Sequence, residues 1–103
     1  MNPKDQEKEL NIHQIQIHIK IKQRTGKSYL TSIEGLECLE RPEGMDVQTF
    51  LKKLTRIFKK KFICGAFIED NIITLNGDHR QGLKELLVKE KIATDDQIKV
   101  HGF

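Results

Sequence analysis

The sequence predicts an α+β fold: a single-layer mixed or antiparallel five-stranded sheet with two helices packed on one face, in the order β-β-α-β-β-α-β. Three observations carry this. Isoleucine takes every second position from Ile15 to Ile21, the period-two signature of a half-buried strand. Val47, Phe50, Leu51, Leu54, Ile57 and Phe58 recur at spacings of three and four, the stripe of an amphipathic helix. The runs ICGAFIE and IITLNG flank Asp70-Asn71, two turn-forming residues that fit a tight hairpin. A chain of 103 residues has the size of one domain.

The elements follow in order. Residues 1–11, MNPKDQEKELN, are polar and charged, so they predict a flexible tail rather than a secretory signal, with the folded domain spanning 12–103. On the first strand Gln16, His18, Lys20 and Lys22 alternate with the isoleucines, making one face core and the other basic. Arg24-Thr25-Gly26-Lys27 joins this strand to Ser28–Leu36, so the hairpin tip carries two cations. Residues 37–46 hold Pro42, Gly44 and four acidic residues without periodicity, an exposed loop ending in a helix N-cap at Asp46. Beyond the second hairpin, Gly77 closes a strand. Asp78 is expected to cap a helix with Gln81 at its third position, in a capping-box-like arrangement, and Leu83, Leu86 and Leu87 form that helix's apolar face. Ile98 and Val100 suit a short closing strand.

Charge narrows the function. Eighteen Lys and Arg against fifteen Asp and Glu give a net charge of +3, too small by itself to mark a nucleic-acid binder. The distribution says more: Lys52 to Lys61 contains six basic residues and no acidic one. Such a row suits phosphate oxygens, although a solvated face whose last lysines complement the helix dipole reads the same way. Basic groups on the first strand and at its hairpin tip favour RNA. Tyr29 is the one exposed stacking candidate, and the phenylalanines mostly fall on core positions, so recognition by shape and phosphate is expected over base stacking.

Catalysis is not expected. His13 and His18 lie an odd number of residues apart and point to opposite faces if the strand extends that far. His79 beside Asp78 reads as the first turn of a capped helix. No nucleophile, paired carboxylate or phosphate-cradling glycine loop accompanies them. Cys38 and Cys64 are too few for a thiolate zinc site or a disulfide framework, and Cys64 reads as a small buried side chain. No metal or cofactor is expected. Without an apolar run of membrane-spanning length, the reading is a soluble monomer of the reducing cytoplasm.

Four blocks taken together resemble the SUI1 family of translation initiation factors: IHIKIKQRTGKSYLTSIEGL at 17–36, KKLTRIFKKKFICGA at 52–66, ITLNGDHR at 73–80 and DDQIKVHGF at 95–103. The resemblance implies a factor that binds the small ribosomal subunit near the decoding site, keeps the preinitiation complex open for scanning and gates start-codon choice. It implies ribosomal-RNA contacts at Arg24, Gly26 and Lys27 of the first hairpin and at Lys52, Lys53, Arg56, Lys59 and Lys60 of the first helix. Other initiation factors of the preinitiation complex are the implied protein partners. The second hairpin, IEDNIIT, is shorter than in eukaryotic members, where an acidic loop lies close to initiator tRNA, and leaves Asp70 and Asn71 as the initiator-tRNA-proximal candidates. The acidic loop at 37–46 is longer than usual. Two readings compete with the fidelity factor: a SUI1 module for recycling or noncanonical initiation, and a protein-interaction module that competes for initiation-factor partners without binding ribosomal RNA.

Overall fold

A computed structural model describes residues 15–102; the expected tail, His13 and Phe103 lie outside this range. The elements are β1 (Ile17–Thr25), β2 (Ser28–Glu34), a 3-10 turn (Leu36–Cys38), α1 (Val47–Phe62), β3 (Ala66–Glu69), β4 (Ile72–Asn76), α2 (Arg80–Lys89), a second 3-10 turn (Asp95–Gln97) and β5 (Ile98–Val100). The strands form one mixed sheet in the order β3-β4-β2-β1-β5. All neighbours are antiparallel except β1 and β5, which run parallel with Ile17 beside Ile98.

The alternation on β1 sets the two faces. Ile17, Ile19 and Ile21 are buried with their cross-strand neighbours Thr31 and Ile33 of β2 and Ile73 and Leu75 of β4. Leu51, Leu54 and Phe58 of α1 and Leu83, Leu86 and Leu87 of α2 cover that face, α1 over β3 and β4, α2 over β1 and β5. His18, Lys20 and Lys22 stand on the uncovered face with Ser32, Glu34, Thr74 and Phe67. Non-polar burial on one face only is what a sheet with helices on a single side requires.

Local chemistry explains the boundaries. Asp46 caps α1, its Oδ1 accepting from the Thr49 amide at 2.8 Å, so one of the helix's unsatisfied N–H groups finds a partner. At the other end Ile63 takes a left-handed conformation (φ 49°) while its N–H bonds the Lys59 carbonyl. Asp70 and Asn71 both have positive φ, 53° and 62°, the signature of the type I′ turn whose twist matches its flanking strands.

Several details depart from the sequence reading. Asp78 is not the N-cap of α2: His79 holds that position without a side-chain cap, while the Asp78 carboxylate grips the Arg80 guanidinium at 2.9 Å and accepts from the Arg80 amide at 3.3 Å. The fork of two charge-assisted bonds is the stronger contact, and the longer amide bond accompanies it. Gln81 bonds Glu85, and the capping box of this chain lies at Thr94 and Gln97. Phe67 and Ile57 are 49% and 46% exposed, because Phe67 faces away from the helices and Ile57 lies at the margin of the α1 stripe. The loop at 37–46 is anchored rather than wholly exposed: Leu36 and Leu39 are buried, and Arg41 bonds the carbonyls of Glu37 and Met45. Tyr29 and Cys64 are half-buried.

Candidate nucleic-acid interface

The β1–β2 hairpin ends in a geometry that aims its cations outward. Pairing runs regularly to Gln23 opposite Tyr29, then shifts so that Thr25 faces Ser28, leaving Arg24 as the extra residue of a β-bulge. Bulges re-aim side chains at sheet ends. Gly26 supplies the positive φ of 49° that the turn needs, and a side chain there would meet nothing within 4 Å, so backbone conformation explains its place. The Gln23 side-chain amide donates to the Gly26 carbonyl and stiffens the tip. Arg24 and Lys27 then rim a shallow concavity completed by Ser28, Tyr29, Asn76, Gly77 and Asp78.

The floor of that concavity is tied across the sheet. Gly77 N–H donates to the Tyr29 carbonyl at 2.8 Å, the Thr31 hydroxyl donates to the Gly77 carbonyl at 2.6 Å, and the His79 amide donates to the Thr31 oxygen at 2.9 Å. His79 also bonds the Asn76 carbonyl through Nε2 at 2.7 Å and packs its ring 5.0 Å from that of Phe62. This histidine is therefore a brace between the ends of α1 and α2. The hydrogen bonds from Arg80 hold the Asp78 carboxyl below the usual carboxylate range, so both charges of that pair persist at neutral pH.

On α1, Lys52, Arg56, Lys59 and Lys60 line one groove with Thr55, and Ile68 of β3 forms its apolar side. Their spacing of four, seven and eight residues from Lys52 puts these cations on one flank. Lys53 is exposed but lies about 100° around the helix from Lys52. Among the described residues, ion pairs tie Lys20 to Glu34, Arg80 to Asp78 and Lys84 to Asp95. None takes Arg24, Lys27 or the cations of α1, so these charges stand ready for an external anion.

Topology brings the two groups toward each other. The carboxyl end of α1 leads through Ile63–Gly65 to the start of β3, beside the end of β4, where Gly65 O accepts from Asn76 N at 2.9 Å. The β1–β2 tip stands at that same end of the sheet, because Leu30 pairs with Asn76. Lys59 and Lys60 thus share an end with Arg24 and Lys27. Asp70 and Asn71 do not: they cap the opposite end, some 30 Å away at ~3.3 Å per strand residue, where the Asn71 side chain accepts from Gln48 at 2.9 Å near the start of α1.

Charge spacing alone points to Arg24, Lys27 and the α1 row as candidates, but it gives no sign of the braces. Thr31 reads as an ordinary strand residue, and its bonds to Gly77 and His79 span 46 and 48 positions that only the β2–β4 pairing brings together. No group of three or more His, Cys, Asp or Glu able to hold a metal occurs among the described residues. Burial pushes the Cys64 thiol up, away from the reactive thiolate. No helix among the described residues is long and apolar enough to cross a membrane.

An open-faced sheet with two helices on its other side and a basic end is the setting in which the comparisons fall. Residues 13–93 match the family described as Translation initiation factor SUI1, and the chain belongs to that family. It is similar to the eukaryotic translation initiation factor 1 of Homo sapiens, 42% identical over 92 residues that span 84% of this chain and 74% of the human protein. The Protein translation factor SUI1 homolog of Acanthamoeba polyphaga mimivirus is 39% identical over 97 residues, 88% of this chain and 83% of the viral one. The Drosophila melanogaster eukaryotic translation initiation factor eIF1 is 38% identical over 92 residues, 84% and 76% of the two chains.

Proposed function

We propose that this translation initiation factor binds the small ribosomal subunit near the decoding site, promotes scanning and enforces start-codon fidelity in the cytoplasm. The observation that carries the reading is the shared end of the sheet: a stiffened basic hairpin tip and the basic carboxyl end of α1, each rimming its own concavity and without ion partners among the described residues. Such an array grips the phosphates of folded RNA by shape and charge. Arg24, Gly26 and Lys27 form the anchor of this reading, and Lys52, Lys53, Arg56, Lys59 and Lys60 the second contact. Asp70 and Asn71, at the far end, are then the part nearest initiator tRNA. Other initiation factors meet the remaining surface. The role is gating of codon choice, with no covalent chemistry.

The test is binding of the purified chain to isolated eukaryotic small ribosomal subunits across a salt series, with Arg24→Glu/Lys27→Glu alongside. Saturable binding that weakens with salt and disappears in the double variant supports the reading. Unchanged binding by the double variant would move the contact to a protein partner, and absence of wild-type binding would sink the reading.

A further inference from the structure

β3 closes one side of the sheet, and among the described residues no strand lies beyond it. One bond fixes which of its backbone groups are open. Asn76 N donates to Gly65 O at 2.9 Å, so Gly65 and Asn76 form a hydrogen-bonded pair. Such pairs alternate along an antiparallel ladder, which makes Phe67–Thr74 and Glu69–Ile72 the next two. Ala66 and Ile68 fall between them, and their N–H and C=O groups point away from β4 to the open edge. Edge strands are commonly blunted by proline, lysine or a bulge. β3 has none of these in Ala66–Glu69, and its register is regular. β5, at the other edge, carries Lys99 in its middle.

α1 lies along this edge rather than across it. Near the helix start Gln48 bonds Asn71 in the turn after β3 at 2.9 Å, and at its end the Cys64 amide, donating to the Lys59 carbonyl at 3.3 Å, leads into the start of β3. Lys52, Arg56, Lys59 and Lys60 therefore form a row beside the strand, in a groove whose apolar side is Ile68. Helix residues four apart are separated by about 6 Å along the axis. Alternate residues of a strand are separated by about 6.8 Å, so a strand laid in the groove keeps step with the cations.

We propose that the open edge of β3 and the basic flank of α1 together form a docking groove for an acidic, extended segment of a partner protein, which joins the sheet as an added strand. The backbone of Ala66 and Ile68 offers donors and acceptors for the new ladder. Side chains of the added strand alternate between faces as those of β3 do. Those opposite Ala66 and Ile68 enter the groove and meet the cations, which suits Asp or Glu. The one opposite Phe67 emerges on the uncovered face beside a ring that is 49% exposed, which suits an apolar side chain. Glu69 stands on that same face and disfavours a carboxylate there. The occupant is thus acidic and apolar by turns. RNA shares the negative charge but has no peptide backbone to extend the ladder.

This inference goes beyond the ribosome reading while using four of its cations, so a docked segment and RNA compete for the α1 flank. The experiment contains no RNA, and its failure would leave that reading standing.

The whole chain, labelled with 15N, is titrated with the synthetic peptide Ac-TEVEVET-NH2 and followed by NMR shifts and amide hydrogen exchange. The expected result is saturable binding that weakens with salt. With free peptide at about ten times its dissociation constant, the Ala66 and Ile68 amides should exchange about tenfold more slowly, because exchange then runs through the roughly one molecule in ten left unoccupied. The same peptide N-methylated through its central residues keeps the charges and side chains but cannot donate to a ladder. It should bind at least about tenfold more weakly and protect neither amide, and Arg56→Glu should weaken the parent peptide by a similar factor. Equal binding by the two peptides would reduce the groove to a charge contact and overturn the proposal. No binding, or binding that leaves the Ala66 and Ile68 amides unprotected, overturns it as well. Protection of these amides that grows with protein concentration alone would assign the edge to a second copy of the chain, which also overturns it.

Discussion

The Thr31 hydroxyl donates to the Gly77 carbonyl at 2.6 Å, joining the middle of β2 to the turn that leaves β4. The same oxygen accepts from the His79 amide at 2.9 Å, so one buried hydroxyl satisfies two backbone groups where a strand, a turn and a helix meet. Thr31→Val keeps the shape and strands both groups, which should cost about 1–3 kcal/mol. Urea denaturation measures this, with Thr31→Ser as the control that keeps the hydroxyl. The loss should fall on the floor of the hairpin concavity, so ribosomal-subunit affinity should drop in Thr31→Val although no charge has changed.

The α1 cations make separable predictions, because only some share the groove. Arg56→Ala and Lys60→Ala should each lower the slope of log affinity against log salt by about 0.7–0.9, the value of one phosphate contact. Lys53→Ala, turned about 100° from Lys52, should change that slope much less. Equal slopes for all three variants would mean that the groove flank is not the contact surface.

The order of elements could be read from residues alone wherever the pattern was local. The isoleucine alternation on β1, the α1 stripe, Asp46 as a cap and the Asp70-Asn71 turn each depend on fewer than twenty neighbouring positions, and each is present. What escaped were relationships between distant segments or competing local partners. Asp78 stands one residue before the cap position and spends its carboxylate chiefly on the guanidinium two residues away. The pairing of His18 with His101 depends on β5 joining β1 in parallel, which no local period encodes. The site divides in the same way: its cations were legible as charge, while Arg24's place in a bulge and the separation of the two hairpin tips required the register.

Acid should weaken the fold through two carboxylates. The Thr49 side chain and amide hold the Asp46 carboxyl below its ordinary range, with help from Lys52 and Arg41, and Arg80 does the same for Asp78. A carboxyl depressed in the folded state contributes stability above its unfolded pKa of ~3.9 and loses it as pH falls through the lower native value. Asp46→Asn keeps a competent N-cap without the titrating charge. Its melting temperature should therefore stay near wild type at pH 7 and decline less below about pH 4. An acid limb identical to wild type would show that Asp46 takes no part.

Gly82 sets how closely α2 approaches the end of α1. A Cβ at this position would stand 2.6 Å from Cε1 of Phe62, whose ring is in turn packed on His79. Two effects compete in Gly82→Ala. Helix propensity favours alanine by about 1 kcal/mol, while forcing a packed ring aside costs about 1–3 kcal/mol. The overlap is with a ring edge confined by a neighbour, so the cost should win and the variant should lose up to about 2 kcal/mol in thermal or urea unfolding. Gly82→Ala/Phe62→Leu, with the obstructing ring gone, should recover the propensity gain relative to Phe62→Leu alone.

Ile63 presents the opposite case, a side chain whose removal should help. It is 90% exposed and its φ is 49°, a left-handed conformation that costs a residue with a Cβ about 1–2 kcal/mol. β-Branching makes isoleucine a poor occupant of it, and glycine is the usual residue where a helix ends this way. Ile63→Gly sacrifices almost no burial and removes that strain. Against this stands glycine's greater unfolded-state freedom, roughly 0.5–1 kcal/mol. The balance predicts a variant more stable by about 0.5–1 kcal/mol, read as a higher urea midpoint with an unchanged slope. A lower midpoint would mean that the isoleucine side chain makes a stabilising contact that outweighs its backbone strain.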